Sequence, residues 1–315
     1  MKISFEIWAN PPYPVYDVVN TWGNKSIEEQ VRILSEIGYQ GIEITYPFIH
    51  RLKWEKKFES EAEKLKNLLP SLALEISSIA HHVLQCIHPW PWVRRQNIEY
   101  FKEGMIDAKK IGSQLIHSLH ANSIPARPIQ GDPTGRWCTN LPKEKAWKMM
   151  VDGWREVCEK AEEIGINVSI EPMAGDLSSW FDVNTLVKFM DEVGSDKLYT
   201  TVDTCMYTWG VKNKVVEVKN PSAKISIEEA IQTLGKRISH VHLKDVDVKN
   251  GKYTWFGIGD VDWLEFRDAL RSINFKGFCT IEWEGWFPGQ PVPVNNMELV
   301  ARYAKHFFDS IEFFV

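Results

Sequence analysis

Eight times along this chain a short apolar segment of strand character gives way to a longer segment of helical period, and no linker or low-complexity stretch divides the series. The expected strands are Lys2–Trp8, Gly41–Thr45, Leu72–His82, Gln114–His120, Asn167–Pro172, Leu198–Asp203, Ile238–Val246 and Gly277–Glu284. Several of the intervening helices stop at a glycine, as at Gly38, Gly112, Gly165, Gly194 and Gly235, the residue best suited to a left-handed cap. Another, Trp54–Leu69, is expected to stop at Pro70. Strict alternation of strand and helix requires a parallel sheet. Eight repeats within 315 residues close that sheet into a barrel. An open doubly wound sheet lacks support, because no G-x-G-x-x-G follows any strand. The expected fold is α/β, a (β/α)8 TIM barrel, with residues 1–315 as a single domain.

Composition narrows the partners. A net charge of -5 argues against a nucleic-acid surface. No apolar run approaches the about 18–20 residues of a membrane span. Met1–Trp8 already reads as strand, not as an export signal. The five cysteines are scattered without CxxC spacing, as expected of reduced thiols in a cytoplasmic protein.

The segment Ile238–Val246 reads I-S-H-V-H-L-K-D-V. Alternation puts Val241 and Leu243 on one face and His240, His242 and Lys244 on the other. An ordinary core strand would not desolvate such a face, so it should line a site. Carboxylates end the neighbouring strands at matching depth: Glu171, Asp203 and Glu282. About one strand–helix repeat separates each of Glu171, Asp203, His242 and Glu282 from the next, so the four come from adjacent strands. In such barrels the C-terminal strand ends carry the active site. Singly, each is more often a solvated loop acid, a helix cap or a hydrogen-bonded core histidine. Jointly, three carboxylates and an imidazole would repel without a cation. One divalent ion resolves this, Mn²⁺ first, with Mg²⁺, Co²⁺ or Zn²⁺ as alternatives. Glu284 shares a strand face with Glu282 and competes for that place.

Several motifs now carry a resemblance: E-P at Glu171–Pro172, V-D-T at Val202–Thr204, H-V-H-L-K-D at His240–Asp245, G-x-G-D-V-D-W at Gly257–Trp263, I-E at Ile281–Glu282 and G-Y-Q-G-I-E-I at Gly38–Ile44. Together they resemble the sugar phosphate isomerase/epimerase family, xylose isomerase-like TIM barrels that include ketose 3-epimerases and inosose dehydratases. The resemblance implies that Glu171, Asp203, His242 and Glu282 hold the metal and that the two glutamates are the acid/base pair. It implies α-proton abstraction from a sugar or keto-sugar through a metal-stabilised enediolate, giving isomerisation or epimerisation. The alternative is a lyase of the same fold, acting on an inosose or, like C-glycoside deglycosidase catalytic subunits, on a 3-keto-glycoside. Three positions depart from the ketose-epimerase pattern. Met206 stands where those enzymes have a histidine, Leu177 (beside Asp176) where they have a glutamate, and Val248 where they have an arginine.

Other residues are candidates for the substrate. His81 and His82 end strand three, and His117 and His120 lie on strand four. His120 is a candidate general base, and Lys244 a candidate to hold a substrate oxygen. Each could equally be a hydrogen-bonded or salt-bridged structural residue. Glu43 reads as a structural salt bridge. Among fourteen tryptophans, Trp8, Trp137, Trp209, Trp255 and Trp286 fall toward the site face, where flat rings suit sugars or aromatic aglycones. Trp283 should face outward and pack. The long loop Ala121–Pro142, carrying Trp137, is a candidate lid. The expected partner is a small sugar or glycoside, with a homo-oligomer or a small accessory subunit also compatible. A DNA-repair enzyme like endonuclease IV shares the barrel but needs the histidine replaced at Met206. A non-catalytic sugar binder would not need the acid/base carboxylates.

Overall fold

The computed structural model describes residues 1–7, 22, 25–81, 84, 86, 90–118, 143–172, 183–212, 226–283 and 296–314, with the backbone alone at 143 and 209–212. The elements are β1 (Lys2–Ile7), α1 (Ile27–Ile37), β2 (Gly41–Thr45), α2 (Tyr46–Trp54), α3 (Phe58–Ser71), β3 (Glu75–Ala80), α4 (Pro91–Ile111) and β4 (Leu115–Ser118), followed by α5 (Lys143–Ile164), β5 (Asn167–Ile170), α6 (Val183–Val193) and β6 (Leu198–Asp203). Then come α7 (Thr204–Lys212), α8 (Ile227–Leu234), β7 (Ile238–Leu243), β8 (Asp245–Asp247), β9 (Lys252–Thr254), α9 (Trp263–Ser272), β10 (Phe278–Ile281) and α10 (Met297–Ser310). Eight parallel strands close in the order β1-β10-β7-β6-β5-β4-β3-β2, the barrel expected from the repeat. No helix among the described residues is long and apolar enough to cross a membrane.

Alternation divides each strand between two environments. Ile3, Phe5, Ile42, Ile44, Ile79, Ile116, Val168, Val202, Val241, Leu243 and Ile281 are buried with the helices' apolar residues in one core. The opposite positions are also buried, but they are polar: Ser4, Glu6, Glu43, Ser78, His117, Ser169, Thr201, His240, His242 and Thr280. Several of them satisfy one another. Ser4 and Thr280 hydroxyls are 2.5 Å apart, Ser169 and Thr201 2.8 Å, and Thr280 Oγ1 and His240 Nε2 2.8 Å. TIM-barrel interiors are usually filled by branched aliphatics. A polar interior costs desolvation, so these groups need partners inside the barrel.

Local chemistry moves some boundaries. Pro70 lies inside the last turn of α3 and does not end it. The stop comes from Ala73, whose φ of 54° lets Leu74 N–H reach back to the Leu69 carbonyl at 2.9 Å. That turn consumes Leu72–Leu74, so β3 starts at Glu75. The helix expected to begin at Trp54 begins at Phe58 as α3, and α2, which ends at Trp54, was not expected. Helix α7 and the β8–β9 hairpin were not expected from the sequence.

The motif Gly257–Trp263 has a structural explanation. Asp245 reaches into this loop and accepts hydrogen bonds from the backbone N–H groups of Gly257 (2.8 Å), Gly259 (3.2 Å) and Val261 (3.3 Å), and from Trp263 Nε1 (3.2 Å). The amides that could have cradled a phosphate are thus occupied by the chain's own carboxylate. A Cβ on Gly259 would collide with Oδ1 of Asp245 and the Val246 carbonyl. Asp245→Ala, which strips these N–H donors of their partner, and Gly259→Ala, which drives a Cβ into that carboxylate, are each expected to lower unfolding free energy by about 2–4 kcal/mol. Urea denaturation measures this, and a loss below about 0.5 kcal/mol in both would refute the anchoring role.

Candidate active site

Barrel register assembles the site. Asp203 on β6 is the cross-strand partner of His242 on β7, and His242 is the partner of Thr280 on β10. Glu171 follows β5 and Glu282 follows β10 at the same end. One ligand atom from each of Glu171, Asp203, His242 and Glu282 lies within 4.8 Å of all the others, and all four residues are buried. His242 Nδ1 is 2.7 Å from Glu282 Oε2 and 3.2 Å from Glu171 Oε2. Lys244, just past β7, sets its ammonium 2.8 Å from Glu282 Oε1 and 3.0 Å from Asp203 Oδ2. Asp203 also caps α7, its Oδ1 accepting from Met206 N–H at 3.0 Å. The position where ketose epimerases have a histidine is therefore the first turn of a helix that anchors this aspartate.

The donor set suits a divalent cation. Buried atoms without a well-aligned hydrogen bond among the described residues include both carboxylate oxygens of Glu171, Asp203 Oδ2, His242 Nδ1 and Glu282 Oε2. These are hard oxygens and one imidazole nitrogen aimed at a common point, as Zn²⁺ or Mn²⁺ sites require. Protons substitute for part of that charge. Burial, with Glu282 and Asp203 nearby, pushes Glu171 up to about 8 despite His242. Burial also opposes charge on Glu282, but Lys244 and His242 outweigh it and hold the carboxyl at about 2. His242 is raised well above the usual imidazole range because Glu171, Glu282 and Glu43 overcome its desolvation.

A second tier lies deeper in the barrel. Glu43 Oε1 is 3.1 Å from His242 Nε2, and Glu43 Oε2 is 2.8 Å from His240 Nε2. The Ser78 hydroxyl donates to Glu43, and it lies 3.2 Å from His117 Nδ1. His117 Nε2 is 3.8 Å from Glu171 Oε2. Burial disfavours charge on Glu43, but His242, His117 and His240 overcome it and keep the group well below the usual carboxylate range. The salt bridge expected of Glu43 is thus made to the three inward histidines. Glu6 was missed altogether. It is buried on β1, neither oxygen has a hydrogen-bond partner among the described residues, and burial with Glu282 and Glu43 raises it well above the carboxylate range. The signal was available: Ser4–Glu6 and Gly41–Glu43 form the non-aliphatic side of their strands, as His240–His242 do on β7.

His81 does not join the site. Its ring lies 4.4 Å from Tyr46 and 4.9 Å from Phe101, wedged beneath Gly104 of α4. Trp255 packs against Trp283 (4.8 Å) and Tyr303 of α10 (4.9 Å), which accounts for it as packing, and Trp283 is buried as expected. Trp8, His82, His120, Trp137, Glu284, Trp286 and the proposed lid lie outside the described residues, as does the side chain of Trp209.

The xylose isomerase-like TIM barrel family model matches residues 31–303. The chain belongs to this family. Within the xylose isomerase-like barrels, fructoselysine 3-epimerase of Escherichia coli O157:H7 is 23% identical over 294 residues, spanning 90% of this chain and 93% of its own. Inosose dehydratase of Clostridium perfringens is 23% identical over 322 residues, spanning 95% and 93%. Among solved structures, the IOLI protein with a bound zinc atom superposes with a TM-score of 0.70 at 17% identity, covering 100% of this chain and 99% of that one. The relatives are enzymes, epimerases and dehydratases of sugar-like substrates.

Proposed function

We propose that this protein binds one divalent cation through Glu171, Asp203, His242 and Glu282 and isomerises or epimerises a sugar or keto-sugar by moving a proton beside its carbonyl. The observation that carries this reading is the arrangement of the four groups. In the strand order β10-β7-β6-β5, Glu282 and Glu171 are the outer members, with His242 and Asp203 between them. A substrate bound at their centre presents opposite faces to two carboxylates. When bound, the cation would polarise the carbonyl and stabilise the negative charge left by the departing proton. Glu282 takes the proton on one face and Glu171 returns one on the other, inverting the carbon. Lys244, within 3.0 Å of both Asp203 and Glu282, holds a substrate oxygen on the Glu282 side. Manganese is the first choice of metal, because three carboxylates and one imidazole suit a hard ion that accepts nitrogen. The sugar class follows from the fructoselysine 3-epimerase relative.

A second reading is a lyase, in which the proton is removed and a β-leaving group departs. The inosose dehydratase relative favours it, as does the loss of the epimerase histidine at Met206. One experiment separates the two: the Mn²⁺-loaded protein in D₂O with a panel of ketoses, inososes and 3-keto-glycosides, followed by NMR. The expected result is deuterium at the carbon next to the carbonyl together with the epimer. Loss of water or aglycone selects the lyase. Absence of exchange on every compound would refute both.

A further inference from the structure

The two nitrogens of His242 face different partners. Nδ1 points at the Glu171–Glu282 side, 3.2 and 2.7 Å from their oxygens. Nε2 points across the barrel to β2, where Glu43 Oε1 lies at 3.1 Å and Oε2 at 3.4 Å. Glu43 is fixed in turn. His240 Nε2 sits 2.8 Å from its Oε2, and the Ser78 hydroxyl donates to it from the adjacent strand. The same Nε2 lies 2.8 Å from Thr280 Oγ1, so Glu43 and Thr280 share its one proton. Every member of this chain is buried, so no solvent competes for the contacts.

We propose that Glu43 is a positioning residue for the cation site. It accepts the Nε2–H of His242 and so fixes the tautomer that leaves the Nδ1 lone pair aimed at the centre of the four groups. Two consequences follow from general chemistry. A carboxylate behind a ligating imidazole raises its basicity and locks its ring plane. It also disfavours ligation through Nε2, which would take one of its three donors from Glu43 and leave it His240 and Ser78. Ser78, His240 and Thr280 hold Glu43 in register, which explains why barrel-interior positions well below the site are polar. The inference rests on the metal-site reading above and adds a residue outside the four ligands.

The test is Zn²⁺ titration calorimetry on the full-length protein and on Glu43→Gln, with long-range ¹H–¹⁵N NMR of the histidine rings in the zinc-loaded wild type. Zn²⁺ affinity is expected to fall about 10–100-fold in Glu43→Gln. In the wild type, the His242 ring should carry its proton on Nε2 and its zinc on Nδ1. Equal Zn²⁺ affinity in a folded Glu43→Gln overturns the proposal. The NMR measurement needs no variant: ligation through Nε2 overturns it even if Glu43→Gln does not fold. A wild-type protein that binds neither Zn²⁺ nor Mn²⁺ would instead overturn the metal-site reading itself.

Discussion

Glu282→Gln is expected to lower the rate of substrate deuterium exchange by about 10³–10⁴-fold with Mn²⁺ supplied in excess. General acid–base groups contribute about 10²–10⁴ to rate, and this variant also removes one anionic ligand. The amide keeps the volume of the side chain and a hydrogen bond to Lys244, but Lys244 then faces one carboxylate, Asp203 at 3.0 Å, instead of two. Buried ion pairs broken from one side destabilise strongly. With the amide as partial replacement, metal-free Glu282→Gln should lose about 1–3 kcal/mol. Glu171→Gln should lose activity to a similar degree but behave oppositely in stability. Its carboxyl, held at about 8, gains nothing from carrying charge in the metal-free site, so the metal-free variant should match or exceed the wild type. Exchange rates by NMR and urea melts of both variants check this pair. Retention of more than a tenth of the exchange rate in Glu282→Gln would show that the base lies elsewhere.

The contrast between these glutamates was not legible in the sequence, although their meeting was. Strand periodicity and glycine stops located all eight barrel strands. The spacing of Glu171, Asp203, His242 and Glu282 placed them on neighbouring strands because parallel register is nearly fixed by the repeat. Which partner each group would have was beyond that reach. Lys244 was expected to face the site, yet the alternation could not tell that it would bridge Asp203 and Glu282. The partners of Glu43 were not legible, because its contact with His242 spans the barrel interior, joining β2 and β7, which share no hydrogen bonds. His81 was overvalued because it follows a strand end, where β3 gives way and its ring turns to Tyr46 and α4. Helix α7 was overlooked because its cap is Asp203, a residue already assigned to the site.

Cation binding should release protons at pH 7, and the affinity should therefore depend steeply on pH. Without metal, Glu171, pushed up to about 8 by burial, carries a proton at neutrality, and the carboxylates around His242 raise its imidazole well above the usual range. A metal displaces the proton of each ligand that holds one, because ligands bind deprotonated. Affinity for Mn²⁺ or Zn²⁺ should therefore fall by about 10-fold for each pH unit below 7 through Glu171 alone, and more steeply where His242 also gives up a proton. The sign for stability follows from the same shifts. Glu171 and His242 have folded values above their unfolded ones, so their contribution is complete below the unfolded values and lost as pH rises through the folded ones. Glu282 and Glu43, both depressed, contribute above the unfolded carboxylate value and lose that contribution only in acid. Metal-free protein should thus become less stable from about pH 5 to 8 through Glu171 and His242. Saturating metal should reverse that slope, since it binds the folded state more tightly as pH rises. Calorimetry in buffers of different ionisation enthalpy counts the protons, and thermal melts with and without Mn²⁺ give the two slopes. A pH-independent affinity between 6 and 8 would mean that these two groups do not meet the ion.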